Sequence, residues 1–553
     1  MLLILGLDGA TWDLLDPWMA HGDLPQLAAL RRRGVWGPLA STMPPATLPS
    51  WTTFMTGVNP GKHGIFDFTR RELGTYDVRF VNSTFRKAPS VWRLLSDVGK
   101  RVCVLGLPGT YPPERVNGCM VSGFDTPVTT RADASFVWPP ALAPLMAELG
   151  GFPFADFQEF RVSRPWYRTA ADRLLRGIEI KTRLALRLLR RESWDCFMLL
   201  FGESDTASHH FWKYHDPGSP RFDQEGASEF GGTLRQIYRA LDTAVGELLS
   251  AVPAADVLVA SDHGFGGTGA KAIYLNRWLE GLHMQRSDRR ETRTSAAAAV
   301  KRLALRHVPA HWQARAFRIN GGRWASRLES RSRFAGIDWK ATRAFSEELN
   351  YFPSLWVNLK GREPEGQVER TDYDRVCDDL CAAAANLRDP VHGGAVVRRA
   401  WRREELYAGP WVQYAPDIVL ELQLDRGYSY SCLPSRDARD TAVRVLDPVE
   451  LTGGKLSGMS GSHRALGVFI LADKNALSSR RLDGVRMADM APTILSRCGV
   501  SAPSEFDGIT IQTVVGTNRP LKFSGADPPG ESTYGDAEEG EIAARLSAMG
   551  YLE

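Results

Sequence analysis

Nowhere in this 553-residue chain do about 18 uncharged apolar residues run together, so no membrane-spanning helix is expected. Charge of one sign is equally scarce. The 68 Lys and Arg stand against 64 Asp and Glu, and a net charge of +4 is too small for this length to imply a nucleic-acid surface. Cysteine is sparse and unpaired: Cys103, Cys119, Cys196, Cys377, Cys381, Cys432 and Cys498 are odd in number, lie mostly in apolar runs and form no CxxC. That excludes a disulfide framework and reads as buried, reduced thiols of a cytoplasmic protein. The opening MLLILGLDG has no basic flank and breaks at Gly6 and Asp8, so no signal peptide is expected. Internal repeats are absent too. What is present is an ordinary globular composition, long enough for one large domain with insertions or for two to three domains.

Apolar strand-like runs alternate with amphipathic helical ones. Strand patterns at 2–7, 101–109, 196–201 and 255–261 are interleaved with helical patterns at 24–34, 88–99, 170–192 and 233–252. Repeated βα units predict an α/β fold with a mostly parallel central sheet and helices on both faces. From 285 to 340 the chain turns Arg- and Ala-rich, helical and strand-poor, which reads as a helical insertion, its Arg residues on a solvated face. The α/β pattern returns at 354–359, 416–422 and 467–471, and a helix at 487–499 closes it. The expected organisation is a catalytic core over 1–284, the insertion at 285–340, more core over 341–519, and a tail over 520–553 ending in a short helix at 541–552.

Polar residues gather where strands end. GESDTASHH (202–210) follows the apolar run CFMLLF, and a helix starting near Ser204 puts Asp205 and His209 on one face, at i and i+4. One carboxylate beside one imidazole suits a borderline metal such as zinc. Asp8 follows LLILGL, Asp262 and His263 follow ADVLVAS, and His463 precedes GVFIL. In a parallel sheet the C-terminal strand ends share one edge, so Asp8, Asp205 and Asp262 can converge. Taken singly, Asp8 is a turn residue, Asp262 a helix cap and His463 a loop histidine; three acidic strand ends with three imidazoles make a set.

The segment PPATLPSWTTFMTG (44–57) adds a hydroxyl. Pro49 suits a first helical turn, and Thr47 would sit at the helix entrance, where free N–H groups favour an anion. Thr47 is otherwise an N-cap, and Ser50, Thr52 and Thr53 are rival hydroxyls. A helix-terminal hydroxyl between two cations is what phosphoryl transfer requires.

In this order, LGLDG, ATLPSW, NPGKHGI, DTASH, SDHGFG, GSH and MADMAPTIL resemble the alkaline phosphatase superfamily, in particular its type I phosphodiesterase and nucleotide pyrophosphatase branch. The NPGKHGIFDF run, GREPEG (361–366) and the final RLSAMGYLE are similar to a prokaryotic group of predicted phosphohydrolases or phosphomutases. The resemblance implies two divalent metals, zinc for preference and manganese as the alternative. Asp205, His209 and His463 would hold one, Asp8, Asp262 and His263 the other, with Thr47 the nucleophile facing both. Glu203 would support the ligands, and His210 would lie at the surface. The substrate would be a small phosphate ester or nucleotide-type molecule.

Two departures matter. The family's Asn after HGI, which stabilises the phosphoryl oxygen, is Phe68 here, and the Pro-Asn after the nucleophile is Pro49-Ser50. The missing donor points to Lys62 or Lys455 as substrate-binding candidates. Cys432-Leu433-Pro434-Ser435-Arg436 spells the sulfatase C-x-P-S-R pattern, but far from the nucleophile position that Thr47 holds. The leading expectation is hydrolysis of a phosphodiester or pyrophosphate bond through a phosphothreonine; the alternative is a phosphomutase, phosphotransferase or phosphomonoesterase using the same site.

Overall fold

Every residue of strand β1 (Leu2–Leu7) is buried, which is possible only inside a sheet covered on both faces. The computed structural model describes residues 1–127, 134–155, 163–287, 330, 333–334, 336–435, 441–451, 458–473, 479–511 and 534–548. The central sheet has ten strands. Its parallel members stand in the order β7 (Asp256–Ala260), β1, β6 (Cys196–Phe201), β3 (Val102–Leu107) and β4 (Gly118–Ser122). β5 (Val137–Trp138) runs antiparallel along β4. On the other side β10 (Leu466–Ala472) is antiparallel to β7, and β2 (Gly34–Ala40) is antiparallel to β10. The short strands Arg480–Arg481 and Val485–Arg486 complete that edge.

Alternation along β1 supplies both cores. Leu3, Leu5 and Leu7 face the helices α2 (Arg164–Arg191) and α4 (Thr233–Ala251), packing with Leu174, Ile178 and Ile237. Leu2 and Ile4 face α1 (Thr47–Thr56), the helix Val91–Asp97 and α5 (Met490–Arg497), packing with Trp51, Trp92 and Ile494. The expected α/β class and two-sided cover are what the chain adopts.

The returning strands divide differently from their spacing. Ser354–Val357 and Ile418–Leu422 join Ala344–Phe345 and Val397–Arg402 in a separate four-stranded antiparallel sheet, backed by the helix Tyr373–Ala385 and its own apolar cluster. Of the three runs, only 467–471 rejoins the central sheet, as part of β10. Strand periodicity carries no information on which sheet a strand enters. Most of the insertion expected at 285–340 lies outside the described residues, as does the start of the tail. The final helix, Asp536–Ala548, begins five residues before its expected start. Glu538 accepts the Gly535 N–H at 2.6 Å there, satisfying a free helix-terminal donor. No described helix is long and apolar enough to cross a membrane.

Candidate active site

Register brings the acidic strand ends level. Leu7 of β1 pairs with Phe201 of β6, and Gly6 with Ala260 of β7, so the residues just beyond each strand emerge side by side. Asp8 donates its backbone N–H to the Phe201 carbonyl at 3.0 Å. The helix α3 (Glu203–His215) starts directly after β6 and carries Asp205 and His209 one turn apart. β8 (Gly264–Ile273) pairs antiparallel with β9 (Gly461–Arg464), setting Phe265 opposite His463 and delivering that imidazole to the same edge. The pairing is close: a Cβ at Gly461 would lie 2.3 Å from the Ser208 carbonyl oxygen. All six expected ligands therefore meet.

Their donor atoms are spaced for metals. Asp205 Oδ1 is 3.5 Å from both His209 Nε2 and His463 Nε2, which are 3.2 Å apart. Tetrahedral ligands about 2.05 Å from zinc stand roughly 3.3 Å from one another. His263 Nε2 lies 3.3 Å from Asp262 Oδ2 and 3.7 Å from Asp8 Oδ1. The donors of Asp8, Asp262 and His263 all fall within 4.8 Å of one another, and so do those of Asp205, His263 and His463. His263 thus faces both clusters, 3.9 Å from Asp205 Oδ1.

The surrounding hydrogen bonds aim these atoms inward. Nδ1 of His209, His263 and His463 lies 3.0, 3.0 and 2.9 Å from the carbonyls of Gly461, Gly264 and Pro45. A carbonyl can only accept, so each Nδ1 carries the proton and each Nε2 keeps a lone pair for the cluster. The carboxylates follow the same logic. Trp51 Nε1–H donates to Asp8 Oδ2 at 3.1 Å, and Gly9 N–H donates to Asp262 Oδ1 at 3.3 Å. The remaining oxygens, Asp8 Oδ1 and Asp262 Oδ2, are buried without a hydrogen-bond donor, as is Asp205 Oδ1. Three such oxygens in one place are costly unless cations meet them. The donor set fits two divalent metals.

Titration agrees. Burial and the charge of Asp205 push the Asp8 carboxyl up to about 7, and burial and Asp8 push Asp262 well above the carboxylate range. Burial also raises Asp205, but His209, His463 and His263 outweigh it and hold Asp205 below its ordinary value. Burial lowers His209 to about 4 and holds His263 well below its ordinary value, keeping both imidazoles neutral.

Thr47 stands at the entrance of α1, with Ala46 as N-cap, so it is the first helical residue rather than the cap. Its Oγ1 lies 3.3 Å from His263 Nε2. The rival hydroxyls are occupied elsewhere: Ser50 donates to the Asp262 carbonyl, Thr52 to the Leu48 carbonyl, and Thr53 meets His63 Nε2. One cavity reaches Thr47, Asp8 and Asp205 together, walled in part by Phe124, Phe152 and Phe154.

Three expectations need correction or limits. His210 is not at the surface; it is 5% exposed and packs edge-on against Trp166, since the side of α3 opposite the ligands faces a core. Lys62 pairs with Asp507 and donates to the Glu505 carbonyl at 3.0 Å, so its ammonium is engaged away from the cluster. Lys455 and Arg436 lie outside the described residues. Phe68 is buried against Phe124 and brings no donor, and Cys432 sits in a strand beside β8, not at the nucleophile.

Two residues escaped the sequence reading. Tyr351 stacks on His463 at 4.2 Å, His463 stacks on His263 at 3.6 Å, and the Tyr351 hydroxyl lies 3.3 Å from His209 Nδ1. It reaches in from a loop of the second sheet region and carries no local signal. Lys181 on α2 lines the cavity and pairs with Glu203. A charge within the buried stripe Leu174, Ile178, Ala185 and Leu188 was its available signal.

A model of the family described as type I phosphodiesterase/nucleotide pyrophosphatase matches residues 2–437. No curated protein matches the chain by sequence. Among solved structures, phosphonoacetate hydrolase from Sinorhizobium meliloti 1021, in complex with phosphonoformate, superposes with a TM-score of 0.51 at 16% identity, over 90% of this chain and 95% of that one. Human ectonucleotide pyrophosphatase/phosphodiesterase 5 superposes with a TM-score of 0.44 at 13% identity, over 92% of this chain and 96% of that one. At 16% identity the likeness to the hydrolase concerns the fold alone.

Proposed function

The chain belongs to the type I phosphodiesterase/nucleotide pyrophosphatase family, and from that premise we propose that it is a two-metal hydrolase cleaving a phosphodiester or pyrophosphate bond through a phosphorylated Thr47. The observation that carries this reading is the convergence of three donorless carboxylate oxygens and three Nε2 lone pairs beside one buried hydroxyl. Asp205, His209 and His463 would hold one cation, and Asp8, Asp262 and His263 the other. When bound, such cations lower the pKa of a hydroxyl and neutralise charge on the leaving oxygen; the donor set suits zinc best, with manganese the alternative.

The chain's own groups do the rest. Helix α1 fixes Thr47 at an N-terminus whose free N–H groups favour the phosphoryl oxygens. Ser50 ties the same helix to the Asp262 carbonyl at 2.8 Å, locking nucleophile and ligand together. The phenylalanine walls limit water, which strengthens every charge interaction inside. The Thr47 Oγ1–P bond forms as the P–O bond to the leaving group breaks, and water then cleaves Oγ1–P and restores the hydroxyl.

In the same reading, 1–284 and 341–519 form the catalytic core around the insertion at 285–340, with 520–553 as tail. The seven cysteines are free, which supports a reducing, cytoplasmic setting. Turnover of a nucleotide sugar, a dinucleotide, a phospholipid-like diester and a monoester in 18O-labelled water tests the proposal. Label in the phosphate-bearing product is expected; unlabelled product with the phosphoryl group moved to an added alcohol would instead show a transferase.

A further inference from the structure

The family's phosphoryl-oxygen donor is replaced by Phe68, yet the cavity at Thr47 is not without a cation. Lys181 lines it together with Asp8, Thr47 and Asp205. Its ammonium is almost wholly enclosed, with the side chain 5% exposed, and lies 2.9 and 3.0 Å from the two oxygens of Glu203, itself 1% exposed. An ammonium has three N–H donors. Glu203 Oε2 takes one, Glu203 Oε1 lies close without accepting, and no further acceptor among the described residues engages Lys181.

Packing alone does not account for this pair. Lys181 sits on the buried stripe of α2, where Leu or Met would join Leu174, Ile178 and Leu188 without desolvating a charge. Glu203 is seated by a bare backbone: a Cβ at Gly177, one turn before Lys181, would lie 2.8 Å from Glu203 Oε1. Residues on two helices are thus given over to bringing one ammonium to the wall of the cavity. The Phe152 ring, 5.6 Å from Nζ, flanks it on a side where no anion can lie.

We infer that Lys181 is a specificity-determining residue, donating an N–H that Glu203 leaves free to an anionic oxygen of the substrate beyond the phosphorus that Thr47 attacks. The site then favours a substrate with a second charged group, as a pyrophosphate has, over a simple diester. This rests on the phosphoryl-transfer reading above and names the substrate class of that site.

Metal-loaded full-length Thr47→Ala protein, in which turnover is slowed on the reading above, is titrated calorimetrically with inorganic pyrophosphate and with orthophosphate, alone and with changes at Lys181. Because Lys181→Met by itself strands a buried carboxylate, the double change Lys181→Met with Glu203→Gln removes both charges at once. Pyrophosphate affinity should fall about tenfold or more in the double variant while orthophosphate affinity stays within about twofold, and Lys181→Arg should retain most of the affinity. Equal losses for both anions, no loss for either, or a parent protein that binds the two anions equally would each overturn the inference. Failure of the underlying reading shows separately, as turnover that survives Thr47→Ala.

Discussion

Thr47 Oγ1 lies 3.3 Å from Nε2 of His263, although 216 residues separate them in the chain. The hydroxyl enters on a helix N-terminus and the imidazole on the loop beyond a central strand, and both are at most 1% exposed. This contact puts the Thr47 hydroxyl at the junction of the two candidate ligand clusters.

If that hydroxyl attacks phosphorus, Thr47→Ala should lower turnover about a thousandfold or more with metals and fold retained. Thr47→Ser should keep substantial activity. Thr52→Ala and Thr53→Ala should cost far less than Thr47→Ala. Ser50→Ala should be intermediate, because Ser50 holds the Asp262 carbonyl. Steady-state kinetics with metal analysis checks the ranking, and near-normal turnover of metal-loaded Thr47→Ala would refute the covalent route.

Chelation should abolish activity, and zinc or manganese should restore it. The metal-free protein should also melt lower, because Asp8, Asp205 and Asp262 then face one another without a cation. Calorimetric melting with and without chelator measures this; an unchanged Tm together with full activity would remove metals from the account.

Loss of one cluster should leave the other. His463→Ala should reduce bound metal from about two equivalents towards one, since Asp8, Asp262 and His263 remain to bind it. Elemental analysis of the folded variant gives the count. Tyr351→Ala removes a stacking partner rather than a ligand and should weaken binding without changing that count.

Stability towards acid should depend on Asp417. It is fully buried and accepts two hydrogen bonds of 2.7 Å from Arg362 and another from the Tyr373 hydroxyl, also at 2.7 Å. Burial raises its carboxyl, but Arg362 and Arg403 outweigh this and hold it below its ordinary value. A depressed carboxyl stabilises the fold above its unfolded pKa of about 3.9 and loses that contribution as pH falls through its lower folded value. Denaturation midpoints should therefore drop on acidification below about pH 4. Asp417→Asn should flatten that slope and cost about 3–5 kcal/mol near neutrality, because Arg362 and Arg403 lose their buried partner.

Much of the site is legible in the sequence because its chemistry sits at strand ends. Asp8, Asp205, Asp262 and His263 each follow an apolar run, and parallel pairing of those runs levels them. His210 misled because it adjoins the candidate ligand His209 yet packs from α3 against Trp166, and a helix periodicity does not say which side meets protein. The pairing of Lys62 with Asp507 was not legible because the two are 445 residues apart.

By itself the sequence determined the α/β class and singled out the six candidate ligands and Thr47, since these depend on local periodicity, strand ends and residue chemistry. Only the tertiary structure decided the rest. It placed Ser354–Val357 and Ile418–Leu422 in a second sheet, brought Tyr351 over His463, and set Lys181, paired with Glu203, on the wall of the cavity. The physical reason is range. A strand or helix is specified by neighbours within a few residues, whereas which sheet a strand joins and which buried charge meets which partner depend on contacts closed only when the whole chain packs.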